Sequence, residues 1–152
     1  MANIFHEDFS DFIKALNNCQ VEYILVGGYS VILHGYSRTT GDLDIWVNTT
    51  KDNYKKLADA FSEFGMSLFD MSEDNFLNNR QIDVFTFGRP PVSIDIMKEV
   101  KGLEFDEAYK NSNLVEIESI SIRLVDYRDL LKAKKATSRS KDINDIENLD
   151  KK

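Results

Sequence analysis

Asp42 and Asp44 in "GDLDIWV" are separated by one leucine and open an apolar run, while Gly27 and Gly28 in "EYILVGGYS" close an earlier one. In a strand, Asp42, Asp44 and Trp46 project to one face while Leu43, Ile45 and Val47 project to the other. The apolar set claims the core. Two carboxylates about 7 Å apart along a strand, both facing away from that core, repel each other unless a cation lies between or near them. Magnesium prefers hard oxygen ligands and commonly takes one or two carboxylates, leaving its other positions to water and phosphate oxygens. A pair of such ions would clamp the attacking and leaving oxygens of a phosphoryl or nucleotidyl transfer. Alone, Asp-x-Asp at the start of a strand is also an ordinary turn or cap.

The glycines add to the aspartates. Without side chains they let a phosphate approach the backbone, and the amides at the start of a helix from about Tyr29 would form an anion site to which Ser30 adds a hydroxyl. By itself the pair is equally a tight turn. What matters is the order of strand, glycine pair, short helix, loop and strand with two aspartates: if the two strands pair, phosphate donors and metal ligands share one end of the sheet. A third carboxylate would complete a two-metal site. Asp95 in "SIDIMK" and Asp83 in "QIDVF" both sit between apolar neighbours, and periodicity does not choose between them.

The elements that must position these groups follow from spacing. Phe5, Phe9, Phe12, Ile13 and Leu16 predict an amphipathic helix over 5–18. "EYILVGG" reads as a short buried strand, "YSVILHG" as a short helix stopped at Gly35, and "DLDIWV" as a second strand. "KDNYKKLADAFSEFG" is a helix with a glycine stop. Residues 66–79 give a weak signal, an extended piece and then a short helix around Phe76 and Leu77. "QIDVFTF" and "VSIDIMK" are strands joined across "GRPP", whose prolines forbid one continuous central strand. "EFDEAYKNS" predicts a short helix, "LVEIESISIRLV" a hairpin, and two helices over about 126–137 and 140–150 close the chain. Interleaved helices and strands give an α/β (α+β) class on one mixed sheet, with one domain over 1–152, a core over about 21–125 and the C-terminal helices beyond it.

A chain of 152 residues, 42% hydrophobic, suits one packed domain. Its one cysteine, Cys19, forms no internal disulfide, no apolar run nears the roughly 20 residues of a membrane span, and no secretory signal opens the chain. A cytoplasmic protein with no membrane partner is the expectation. The net charge of -7 argues against a broad nucleic-acid coat. Yet residues 123–141 hold Arg123, Arg128, Lys132, Lys134, Lys135, Arg139 and Lys141 against Asp126 and Asp129. That cluster reads either as a solvated helix face or as a pocket for something anionic, a triphosphate or an RNA end.

Together these features resemble the nucleotidyltransferase superfamily of DNA polymerase β type, with its glycine turn, Asp-x-Asp and a later Asp. Within it the chain is most similar to the small bacterial nucleotidyltransferases of the AbiEii toxin type: "RTTGDLD" matches their R-x-T-x-D-L-D, "SIDIMKEVKGLEFDEAY" their I-D strand and G-x-x-F-x-E-A segment, and "DLLKAKKATSRSKDINDIENL" their closing motif. The register favours Asp95 over Asp83. The resemblance implies that Asp42 and Asp44 hold the ions, Mg2+ or Mn2+, that carry an NTP, and that Asp95 holds a second ion and serves the attacking hydroxyl. Gly27, Gly28 and Ser30 would cradle the β and γ phosphates and Lys134 would contact the triphosphate. Arg38 would pair with phosphate or brace the aspartates. Asp142 and Asp145 read as capping and ion-pairing groups with Arg139 or Lys141, and His34 as a packed histidine.

The implied reaction moves an NMP to a hydroxyl of a protein, a tRNA or a small molecule. The acidic surface disfavours a large RNA footprint, and a cognate protein partner, as in a toxin–antitoxin pair, fits the resemblance. The competing expectation is a non-catalytic module of the same fold, acting as a partner-recognition or antitoxin subunit.

Overall fold

The computed structural model describes residues 7–36, 40–89, 92–137 and 140–150, so Phe5, Arg38, Arg139 and the proline joint lie outside the described residues. Helix α1 (Glu7–Asn18) leads into strand β1 (Tyr23–Val26), helix α2 (Gly27–Leu33), strand β2 (Asp42–Val47) and helix α3 (Lys51–Phe64). After α4 (Glu73–Leu77) come β3 (Val84–Arg89), β4 (Val92–Met97), α5 (Phe105–Asn111), the hairpin β5 (Asn113–Ile117) and β6 (Ile120–Leu124), then α6 (Tyr127–Thr137) and α7 (Ser140–Asp150).

The strands make one mixed sheet ordered β3-β4-β2-β1-β6-β5. Its middle is set by the strands with the most continuous apolar character. Every residue of β1 is buried, as expected of a strand covered on both faces. Alternation assigns the two faces. Leu25, Leu43, Ile45, Phe85, Phe87, Ile94, Ile96 and Ile122 join Phe9, Phe12, Leu57 and Phe61 from α1 and α3 in the larger core. On the opposite face Ile24, Val26 and Trp46 pack with Ala108, Leu130 and Leu149 from α5, α6 and α7. Asp42 and Asp44, out of phase with Leu43 and Ile45, therefore stand on the smaller-core face.

Three expectations are corrected. Helix α2 begins at Gly27, two residues before Tyr29, because Gly27 at φ 72 turns the chain straight out of β1. Residues 66–72 form no strand; the segment turns at Phe69, whose φ is 47. The strand expected from Gln81 begins only at Val84 and runs on through Gly88 and Arg89, so Asp83 stands before it; the other described elements form within a residue or two of where the periodicity puts them, and α3 ends on Gly65 at φ 87. No helix among the described residues is long and apolar enough to cross a membrane.

Candidate active site

The site is assembled by strand register. Antiparallel pairing of β1 with β2 sets Val26 opposite Asp44, and parallel pairing of β2 with β4 sets Asp44 opposite Asp95 and Asp42 opposite Ser93. On the outer side β4 pairs with β3, which sets Thr86 opposite Asp95. One rung of the sheet therefore runs Thr86, Asp95, Asp44, Val26, with the turn at Gly27 next to it. Asp83 precedes β3 at the far end of β4, where its carbonyl accepts from the Lys98 amide at 2.8 Å. The fold brings Asp95, and not Asp83, beside Asp44.

Gly27 is the tightest joint of the group. A Cβ there would stand 1.9 Å from Asp44 Oδ2 and 2.7 Å from its Cγ. Only a residue without a side chain lets the first turn of α2 lie against this carboxylate, and the positive φ makes the same demand. Gly28 is buried one residue on. Ser30, expected to offer its hydroxyl to a phosphate, is instead buried and donates to the Gly27 carbonyl at 2.6 Å, so it holds the turn. We predict that Gly27→Ala costs about 1–2 kcal/mol in backbone strain alone and pushes the Asp44 carboxylate aside. The check is a lowered thermal midpoint together with loss of magnesium-dependent nucleotide binding.

The carboxylates are held by neighbouring hydroxyls. Thr86 Oγ1 donates to Asp95 Oδ1 at 2.8 Å, and Ser93 Oγ donates to Asp42 Oδ1. Neither hydroxyl was singled out by the sequence reading. A signal existed, because "SID" on β4 repeats the apolar phase of "DLD" on β2, and in register Ser93 falls opposite Asp42.

Among the described residues, no three His, Cys, Asp or Glu side chains stand together closely enough to hold an ion. Magnesium does not require three, since it usually keeps several waters and takes one or two carboxylates with substrate phosphates. Adjacent Asp44 and Asp95, hard oxygen donors on one rung, fit that demand, with Asp42 two rungs away on the same face. The absence of a side chain at Gly27 makes room for the Asp44 carboxylate itself, which occupies the space a Cβ would take.

A cleft of about 150 Å3 opens beside Asp44 and Gly27, between the sheet and α6. Its walls are mainly apolar, from Val26, Met97, Val100, Leu103, Val125 and Leu130. Lys134 lines it too, but its ammonium lies in ion pairs at 3.0 Å from Asp142 Oδ1 and 3.1 Å from Asp145 Oδ2. Lys134 thus pairs with both acids across α6 and α7; the expected partners, Arg139 and the Lys141 side chain, lie outside the described residues. Nor do the described members of the basic cluster form one pocket. Arg123 lies 4.7 Å over the Tyr109 ring and donates to Ser112 Oγ, while Lys132 and Lys135 are exposed. His34 is packed, its Nε2 donating to the Val125 carbonyl at 2.7 Å and its ring edging Tyr127.

The fold recurs in solved structures. The TM1012 protein of Thermotoga maritima, assigned as a nucleotidyltransferase, matches over 95% of this chain and 91% of its own with a TM-score of 0.57 at 16% identity. The lincosamide antibiotic adenylyltransferase LnuA with lincomycin bound matches over 98% of both chains with a TM-score of 0.57 at 14% identity. An antigenic nucleotidyltransferase-like protein from Paracoccidioides brasiliensis matches over 92% of this chain and 72% of its own with a TM-score of 0.53 at 13% identity. No curated protein matches the sequence. The family described as "Nucleotidyltransferase of unknown function (DUF6036)" matches residues 6–150. With this match spanning nearly the whole chain, and a fold shared with nucleotidyltransferases of similar length, the chain belongs to the DUF6036 nucleotidyltransferase family.

Proposed function

We propose that the protein transfers a nucleoside monophosphate from an NTP to a hydroxyl on a small molecule, with magnesium or manganese at Asp42, Asp44 and Asp95. The observation that carries this reading is the placement of Asp44 and Asp95 side by side on adjacent parallel strands, with the Gly27 turn against Asp44. A divalent ion held there would supply charge neutralisation for the phosphate oxygens. Asp42 and Asp44 orient the nucleotide, and the glycine turn admits its β and γ phosphates. Asp95 receives the proton of the acceptor hydroxyl, whose oxygen forms the new bond to the α-phosphorus. The bond from that phosphorus to the α–β bridging oxygen breaks, and pyrophosphate leaves.

The acceptor follows from the cleft. Its apolar walls and small volume suit a compact, partly apolar molecule better than a tRNA, and the dispersed basic cluster offers RNA no continuous track. LnuA, of matching length and fold, is an adenylyltransferase of a lincosamide antibiotic. The AbiEii-type motifs support a cognate protein partner, which would regulate the enzyme rather than serve as its acceptor. The enclosure of Lys134 and Ser30 favours the second reading, a non-catalytic module.

The two readings separate in one assay. The protein is incubated with magnesium, each α-labelled NTP and a small-molecule extract, beside Asp42→Asn/Asp44→Asn. The enzyme reading expects magnesium-dependent labelling that the double variant loses. Equal labelling by both proteins, or none with any NTP, would overturn it.

A further inference from the structure

Two hydroxyls, of Thr86 and Ser93, stand against the carboxylates of Asp95 and Asp42. Each lies in register with its acceptor: Thr86 with Asp95 across β3 and β4, Ser93 with Asp42 across β4 and β2. A hydroxyl has one proton to donate, and in each case it goes to one named oxygen, Oδ1. The carboxylate's rotation about its last bond is otherwise loose. Committing one oxygen to a neighbouring strand fixes where the other points. Like charges at Asp44 and Asp95 would drive the two groups apart, and a donor on the far side of Asp95 opposes that swing.

The burial of the two hydroxyls differs in a useful way. Ser93 is buried, on the smaller-core face with Asp42. Thr86 is exposed on the edge strand, so its hydroxyl supports no packing. We propose that Thr86 and Ser93 are positioning residues that aim Asp95 and Asp42 at a divalent ion; this rests on the proposed function. Partners of this kind behind metal ligands typically account for about 10–100-fold in metal affinity or activity.

The test measures Mn2+ binding directly, from the loss of the free-ion electron paramagnetic resonance signal, on the full chain with a non-hydrolysable NTP analogue. Thr86→Val keeps shape and strand preference while removing the hydroxyl; Thr86→Ser restores it; Ser93→Ala removes the second donor. The expected result is an affinity loss of about tenfold or more for the ion held at Asp95 in Thr86→Val and for the ion held at Asp42 in Ser93→Ala, near wild-type binding for Thr86→Ser, and an unchanged melting temperature for both Thr86 variants. Wild-type affinity in Thr86→Val and Ser93→Ala, with binding lost in Asp44→Asn, would overturn the proposal and leave the function standing. Absence of Mn2+ binding by the wild-type chain would overturn both.

Discussion

Asp44→Asn is expected to abolish magnesium-dependent NTP binding, whereas Asp95→Asn is expected to keep that binding and lose transfer. The two carboxylates face each other on one rung, but their neighbours differ. Asp44 stands against Gly27 and lines the cleft, where the proposed function puts the triphosphate's ion. Asp95 lies farther from the glycine turn, between Asp44 and Thr86, and so meets the acceptor side. Asparagine preserves shape at both sites while removing the charge. Because Asp95→Asn also relieves a repulsion between adjacent carboxylates, the unliganded Asp95 variant should melt at or above the wild-type temperature.

The readout is stabilisation by ligand. At a free NTP concentration of 100 times the dissociation constant, wild type should gain about 2.7 kcal/mol. Asp95→Asn should gain nearly as much, and Asp44→Asn almost nothing. For turnover, both losses should exceed the roughly 100-fold limit usual for groups one shell removed from an ion. Full nucleotide binding by Asp44→Asn would show that its carboxylate does not carry the ion.

The face of the sheet that carries the chemistry is legible in the sequence because period two forces it. Leu43, Ile45, Ile94 and Ile96 claim one face, so Asp42, Asp44 and Asp95 must take the other. What period two leaves open is which strands are neighbours. Asp83 and Asp95 have like local patterns, and only the pairing of β4 with β2 sets Asp95 opposite Asp44. Side-chain commitments were less legible still. Ser30 turns back onto Gly27 because a hydroxyl near a helix start competes for local backbone groups. The basic stretch splits because one turn of α6 carries Lys134 inward while Lys132 and Lys135 point out. Linear charge density does not reveal that division.

Lys134 is the residue whose removal should most lower stability. It is 6% exposed, and its ammonium is paired with Asp142 and Asp145, which are 1% and 0% exposed. Removing the cation takes the ammonium from between two buried carboxylates, while Asp142 still accepts from the Thr137 hydroxyl; breaking a buried ion pair from one side typically costs about 3–5 kcal/mol. Lys134→Met should lose that amount in urea unfolding and loosen α7, whose other ties include Tyr127 Oη to the Leu149 carbonyl at 3.1 Å and Asn144 Nδ2 to Tyr36 Oη at 3.0 Å. Asp145→Asn should cost less, since it leaves Lys134 paired with Asp142. Replacing the trio together, by Lys134→Met with Asp142→Leu and Asp145→Leu, should recover most of the stability, because well-packed apolar groups commonly match a buried ion network. That triple variant also separates the two roles of Lys134. If its ammonium contacts the triphosphate, the restored fold will bind magnesium–NTP at least tenfold more weakly than wild type, a difference of about 1.4 kcal/mol. Wild-type binding by the triple variant would confine Lys134 to joining α6 with α7 and exclude it from the nucleotide site.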